Sequence, residues 1–197
     1  MSRFWMGVWV FLSISGAGQI KAQNLENILK QKVGKVVGQL TKVEAKDLVG
    51  TWVFQGSACQ FESEELLQKA GGVVLAESVE KKLDDVYGKA GISGGNLSYT
   101  FNADSTFTCL TGKRKMKGTY SYNASDGKLV LKYYSLLTSE ARVANNGSGI
   151  SLLFDADRLL KLVVLLSNFS DNTVLQGVGK VAGQYDGMLL GFELARQ

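Results

Sequence analysis

Between Leu97 and Asp155 the apolar residues fall at every second position, and no other feature constrains the chain as tightly. Successive strand side chains point to opposite faces, so a period of two marks strands with one buried face and one wet face. Leu97, Tyr99 and Phe101 alternate with Ser98, Thr100 and Asn102. Phe107 and Cys109 alternate with Thr106 and Thr108, and Tyr120 and Tyr122 with Thr119, Ser121 and Asn123. Leu129, Leu131 and Tyr133 follow the same rule, as do Ile150, Leu152 and Phe154. Asn102-Ala103-Asp104, Gly112-Lys113, Asp126-Gly127 and Asn145-Asn146-Gly147 supply hairpin turns between these runs. A strand around Trp52 and a last one from Met188 to Ala195 bring the count to eight, at about 50–57, 97–102, 105–111, 117–123, 127–134, 140–145, 149–155 and 187–195. Eight antiparallel strands close a small barrel whose interior holds its own side chains or one small ligand.

The period changes to that of a helix in three places. From Asn24 to about Ala45 apolar residues recur at spacings of three and four, with Lys30, Lys32, Lys35 and Lys42 on the polar face. That face suits a helix docked to its own domain, with a membrane-surface helix the alternative. From Ser63 to about Lys89, Ser63 precedes Glu64 and Glu65 as a cap followed by negative charge, and Gly71-Gly72 divides the stretch into two helices. LLKLVVLLSNF, from Leu159, reads as a helix buried on two sides, and a further helix spans about Asn172 to Tyr185.

The first 22 residues place Arg3 ahead of an apolar stretch from Phe4 to Ile14 and then small residues, the layout of a secretory signal peptide cleaved after Ala22 or after Ala17. The stretch is short for a membrane anchor, since a span needs roughly 20 apolar residues. The division expected is a leader over 1–22, an amphipathic helical segment over 23–47 and a barrel over 48–197 with helical insertions at about 63–90 and 156–185. No transmembrane span is expected after removal of the leader, and a periplasmic or secreted location follows. Of 22 basic residues, Arg3 and Lys21 leave with the leader, so against 18 acidic ones the remaining charge is +2. That near-neutrality argues against a nucleic-acid partner.

The chain has no histidine, which removes the usual general base and the commonest metal ligand. Neither cysteine has a neighbour that would activate it as a nucleophile, and neither a cofactor nor a metal is indicated. Glu62, Glu64 and Glu65 read as partners of a helix dipole, and Asp84-Asp85, Asp155 and Asp157 as helix-surface and capping residues. Asp155-x-Asp157 lacks the Gly and distal Glu of a calcium loop. Lys113-Arg114-Lys115 with Lys117 forms a basic hairpin, a solvated loop by default and an anion-binding contact otherwise. Asp104-Ser105-Thr106 is similar to an O-glycosylation site of some exported bacterial proteins, and a hairpin turn explains the same residues. Cys59 and Cys109 would pair in an oxidising compartment, the alternative being two buried thiols.

Gly50-Thr51-Trp52, at the start of the first strand, resembles the Gly-X-Trp signature of lipocalins. The resemblance implies that Gly50 permits a close chain approach and that Trp52 packs across the closed end of the barrel. The insertions depart from the simple lipocalin pattern. With them the chain resembles a family of lipocalin-like exported proteins of gut Gram-negative bacteria, a domain of unknown function. Leu48–Trp52, Phe61–Gly72, Tyr99–Phe107, Leu152–Leu160 and Tyr185–Phe192 carry the likeness. The fold class expected is therefore mainly β with α insertions, an eight-stranded antiparallel lipocalin-like barrel with capping helices, and no enzyme. Inward-facing Tyr99, Phe101, Phe107, Tyr120, Tyr122, Leu131 and Tyr133 would line a cup for a small apolar or amphipathic molecule. In the alternative those side chains fill the barrel of a structural or interaction protein of the cell envelope.

Overall fold

The computed structural model describes residues 42–63, 65, 68, 73–134, 137–167 and 187–197. The expected leader, most of the helix expected over 24–45, the expected break at Gly71-Gly72 and the helix expected over 172–185 lie outside them.

One turn of helix, α1 (Ala45–Leu48), leads into β1 (Gly50–Phe61). Helix α2 (Val73–Lys89) follows, then the meander β2 (Leu97–Phe101), β3 (Thr106–Thr111), β4 (Arg114–Asn123), β5 (Lys128–Tyr133), β6 (Leu137–Asn145) and β7 (Gly149–Phe154). Helix α3 (Ala156–Leu166) precedes β8 (Met188–Arg196), which pairs with β1 and closes an antiparallel barrel in the order β1 to β8. The expected fold class and all eight strands are present. Residues 42–44, expected to be the end of a helix reaching Ala45, are not helical, and Glu44 is extended at φ −72°, ψ 151°.

β1 runs four residues past its expected end. Its register against β8 shifts between Phe54 and Gly56. Trp52 and Phe54 therefore share the inner face with Ser57, Cys59 and Phe61, and the bulge hides the period of two. The strand also pairs with β2 only over Gly50–Val53. Along the rest of that edge the Ser57 N–H donates to Asp84 Oδ1 at 2.8 Å and the Cys59 N–H to Glu80 Oε1 at 3.2 Å. The Ser57 hydroxyl donates to the Glu80 carbonyl at 2.8 Å. Helix α2 thus takes the place of a strand partner, and Asp84, expected as a surface residue, is a structural one.

The two ends of the barrel close differently. At one end Trp52 is buried and its indole N–H donates to the Leu48 carbonyl at 2.8 Å. The Arg196 guanidinium lies 5.1 Å from the Trp52 ring centre and donates to the carbonyls of Asp47 and Val49. Gly50 has φ +140°, and an added Cβ would stand 3.1 Å from that guanidinium. Glycine meets both demands. At the other end α3 buries Leu159, Leu162, Val163 and Leu166, and Arg114 Nη1 donates to the Ser167 carbonyl at 2.9 Å just past the helix. A cation there suits the negative end of the helix dipole. The hairpin expected as a basic loop is thus divided: Gly112-Lys113 turns, and Arg114 starts β4 and anchors α3.

The β2–β3 turn is held by Asp104, whose Oδ1 accepts from the Thr106 N–H at 3.0 Å and its hydroxyl at 2.6 Å, with Ser105 at φ 64°. Those hydrogen bonds hold the exposed Asp104 carboxyl below its ordinary range.

Trp52→Ala removes a buried indole together with the surface on which Arg196 rests, so the denaturant midpoint should fall by the equivalent of about 3–5 kcal/mol; an unchanged midpoint would show that the closed end does not depend on it. On β4 a Cβ at Gly118 would lie 2.6 Å from the Phe107 ring and against the Lys132 carbonyl. Gly118→Ala should therefore cost about 1–3 kcal/mol by overpacking, read by thermal melting.

Candidate functional site: the barrel interior

Every sequence-predicted lining residue comes to the inner face, and there they meet one another. Tyr99, Phe101, Phe107, Leu131 and Tyr133 are fully buried, while Tyr120 and Tyr122 pack partly buried against them. The Phe107 and Tyr133 rings meet edge-on at 4.9 Å, Phe101 and Tyr120 at 5.1 Å. Tyr99 on β2 and Tyr133 on β5 share a hydroxyl–hydroxyl hydrogen bond of 2.9 Å across the interior. Burial holds both phenols well above their ordinary pKa, so both stay neutral. The Tyr120 hydroxyl donates to the Asn102 carbonyl at 2.8 Å and Tyr122 to the Val43 carbonyl at 2.7 Å. All four hydroxyls of the candidate set thereby have a partner within the chain.

The half of the barrel under the helices is filled by residues that the sequence reading did not assign to it. Tyr87 of α2 lies 5.2 Å from Phe192 and 5.9 Å from Phe54, ring centre to ring centre, and its hydroxyl donates to the Gly191 carbonyl at 3.0 Å. Phe154 meets Phe192 edge-on at 5.9 Å. The strands that receive Tyr87 are set by the helix docking described above, which no local pattern in the sequence specifies. Two buried hydroxyls, Thr111 Oγ1 and Ser139 Oγ, have no nitrogen or oxygen partner in the described structure.

The expected Cys59–Cys109 disulfide is not formed; both are buried free thiols. The register gives the reason. Cys109 lies beside Tyr99, and Tyr99 beside Trp52, whereas Cys59 is seven positions further along β1. At about 3.3 Å per residue that is some 20 Å along the strand, and a bridge needs Cα atoms within about 7 Å. Burial pushes each thiol up to about 12, with the Glu80 carboxylate adding to the effect at Cys59.

A groove of about 160 Å³ lies on the outer surface. Its rim carries Glu62, Asp126, Lys128, Glu140, Arg142, Asp155 and Arg158, with Ala141, Leu153 and Leu189 also lining it. Six of these charges pair with one another: Lys128 with Glu140 at 2.7 Å, Arg142 with Glu62 at 3.6 Å, and Arg158 with Glu140 at 3.8 Å and with Asp155. The hydrogen bond from Lys128 holds the Glu140 carboxyl below its usual range. Glu62 and Asp155, expected to serve helix termini, are thus partners of arginines. Among the described residues no group of three or more Cys, Asp or Glu side chains is placed to hold a metal ion, and no helix is long and apolar enough to cross a membrane.

No curated protein matches the chain. Among solved structures, a duf4847 family protein from Bacteroides vulgatus aligns at 14% identity with a TM-score of 0.38, over 76% of this chain and 95% of that one. A family described as Lipocalin-like domain (DUF4923) matches residues 20–196, nearly the whole sequence and all eight strands. The chain therefore belongs to the DUF4923 family of lipocalin-like domains, a domain of unknown function.

Proposed function

We propose that this chain is an exported, non-enzymatic interaction protein of the cell envelope, and that its barrel is a filled scaffold. The hydrogen bond between Tyr99 and Tyr133, in the middle of a buried aromatic cluster, carries the reading. A small apolar or amphipathic cargo would have to break that bond and separate the rings around it. It would also have to pass α2 and α3, whose apolar faces belong to the same core. The leader-like first 22 residues support export to the periplasm or beyond, and two thiols buried in separate places are compatible with an oxidising compartment. A catalytic role finds little support: the thiols are held protonated, the chain has no histidine, and Glu62, Glu140 and Asp155 of the outer groove are engaged with cations.

Protein purified natively from its host should release no stoichiometric lipid-like molecule into organic solvent and should take up no apolar dye saturably. Close to one extracted molecule per chain, with dye uptake lost on replacing Tyr120 and Tyr122 by Phe, would overturn the filled-scaffold reading in favour of a cargo carrier. The thiols give an independent check. Both should resist a disulfide exchange reagent near pH 8 in the folded protein and react fully once guanidinium unfolds it. Labelling of either thiol within minutes in the native state would mean that the core is open.

A further inference from the structure

Leu110, Tyr134 and Val164 are the large apolar residues that the described structure leaves most exposed, at 40%, 57% and 43%. All three lie at the helix-capped end of the barrel. Leu110 is the last outward residue of β3 before the Gly112-Lys113 turn, and Tyr134 directly follows β5, its N–H donating to the Lys117 carbonyl at 3.3 Å. Val164 lies in the last turn of α3, where the Ser167 hydroxyl donates to its carbonyl, and Arg114 ties that turn to the hairpin tip. Single exposed apolar residues are ordinary on a protein surface; their gathering at one end is what calls for an account.

On its β3–β5 side the charge at this end has one sign, whereas Glu62, Asp155 and Asp157 lie where β1 and β7 leave the barrel. Lys113, Lys115, Lys117 and Lys132 are exposed on the hairpin tip and on the outer faces of β4 and β5, with Lys115 directly across from Leu110. Lys161 is exposed on α3 one turn before Val164. From Thr106 to Tyr134 the sequence holds one carboxylate, Asp126, and it sits in the β4–β5 turn at the opposite end. The ion pairs among the described residues engage Lys128, Arg142 and Arg158 and leave these five lysines out.

We propose that the helix-capped end of the barrel docks on an anionic lipid surface. Lysines set among outward leucine, valine and tyrosine match the two layers of such a surface. The ammonium groups meet lipid phosphates, the tyrosine lies at headgroup level, and the aliphatic side chains reach the acyl boundary. A soluble polyanion would satisfy the lysines and leave Leu110 and Val164 in water. The inference rests on the filled-scaffold reading in one respect, because the docking end is the end through which a cargo would pass. The two fail separately, one by extracted cargo and the other by vesicle binding.

The test is flotation of the full chain with vesicles of phosphatidylcholine alone, and with vesicles of phosphatidylcholine and phosphatidylglycerol in roughly equal parts, at about 0.1 M salt, where charges are screened over about 10 Å. The same full chain in every arm keeps the contribution of the basic stretch before residue 42 constant. The wild type should float with the anionic vesicles and far less with the neutral ones. At about fivefold in partitioning per lysine, Lys115→Glu with Lys117→Glu should weaken flotation at least 20-fold. Leu110→Ser with Val164→Ser should weaken it several-fold, with melting temperatures unchanged in both variants. Failure of the wild type to float, equal flotation of wild type and Lys115→Glu/Lys117→Glu, or retention on soluble polyphosphate without vesicle binding would each overturn the proposal.

Discussion

The open edge of β1 is the constraint from which the rest of the architecture follows. A barrel removes strand edges only where each strand has a partner on both sides. β1 has β8 along nearly its whole length but β2 over Gly50–Val53 alone. A buried N–H left without an acceptor costs about 1–3 kcal/mol. Asp84 and Glu80 accept the Ser57 and Cys59 N–H groups and so fix where α2 sits. Once α2 is fixed, Tyr87 falls between Phe54 and Phe192, and its hydroxyl finds the Gly191 carbonyl. The helix that repairs the edge therefore also fills the barrel beneath it.

The ends are secured by two arginines with related tasks. Arg196 covers Trp52 and gathers the carbonyls that α1 leaves open, joining the last strand to the approach of the first. Arg114 gives a hydrogen bond to the carbonyl just past α3 and joins that helix to the β3–β4 hairpin. A planar guanidinium can hold more than one acceptor and still rest on an aromatic face, which an ammonium does poorly. Both arginines thus link segments distant in sequence, and both help to keep the barrel shut.

Strands β2 to β5 were legible because each has one wetter face, so the period of two survives in Leu97–Phe101 and Lys128–Tyr133. The second half of β1 was not, since the bulge after Phe54 shifts the inner set by one position and Ser57 to Phe61 are buried on both faces. The run Lys113-Arg114-Lys115 looked like one basic cluster; neighbouring strand residues point to opposite faces, which separates an anchoring arginine from outward lysines. The thiols misled for a similar reason. Both belong to the inner face, which alternation shows for Cys109 alone, and their separation along the strands appears only once the register of β1, β2 and β3 is known. Of the candidate site, composition and facing were readable in sequence, whereas the mutual engagement of the tyrosines depends on distances across the barrel.

Those engagements bear on where function is accessible. To bind a cargo, the interior would give up the bond between Tyr99 and Tyr133 in a setting without water to replace it, and an unpaired buried hydroxyl is costly. The five lysines at the helix-capped end make no ion pair among the described residues, so an anion meeting them breaks none of the ion pairs seen there. The charged groove is intermediate, because an incoming ion there must compete with partners already seated at 2.7–3.8 Å. The physical cost of a new contact thus falls from the core, through the groove, to the lysine-bearing end. A fold whose inner tyrosine hydroxyls are already engaged leaves recognition to its outer surface, where lysines outside the ion pairs of the described residues stand beside exposed apolar side chains.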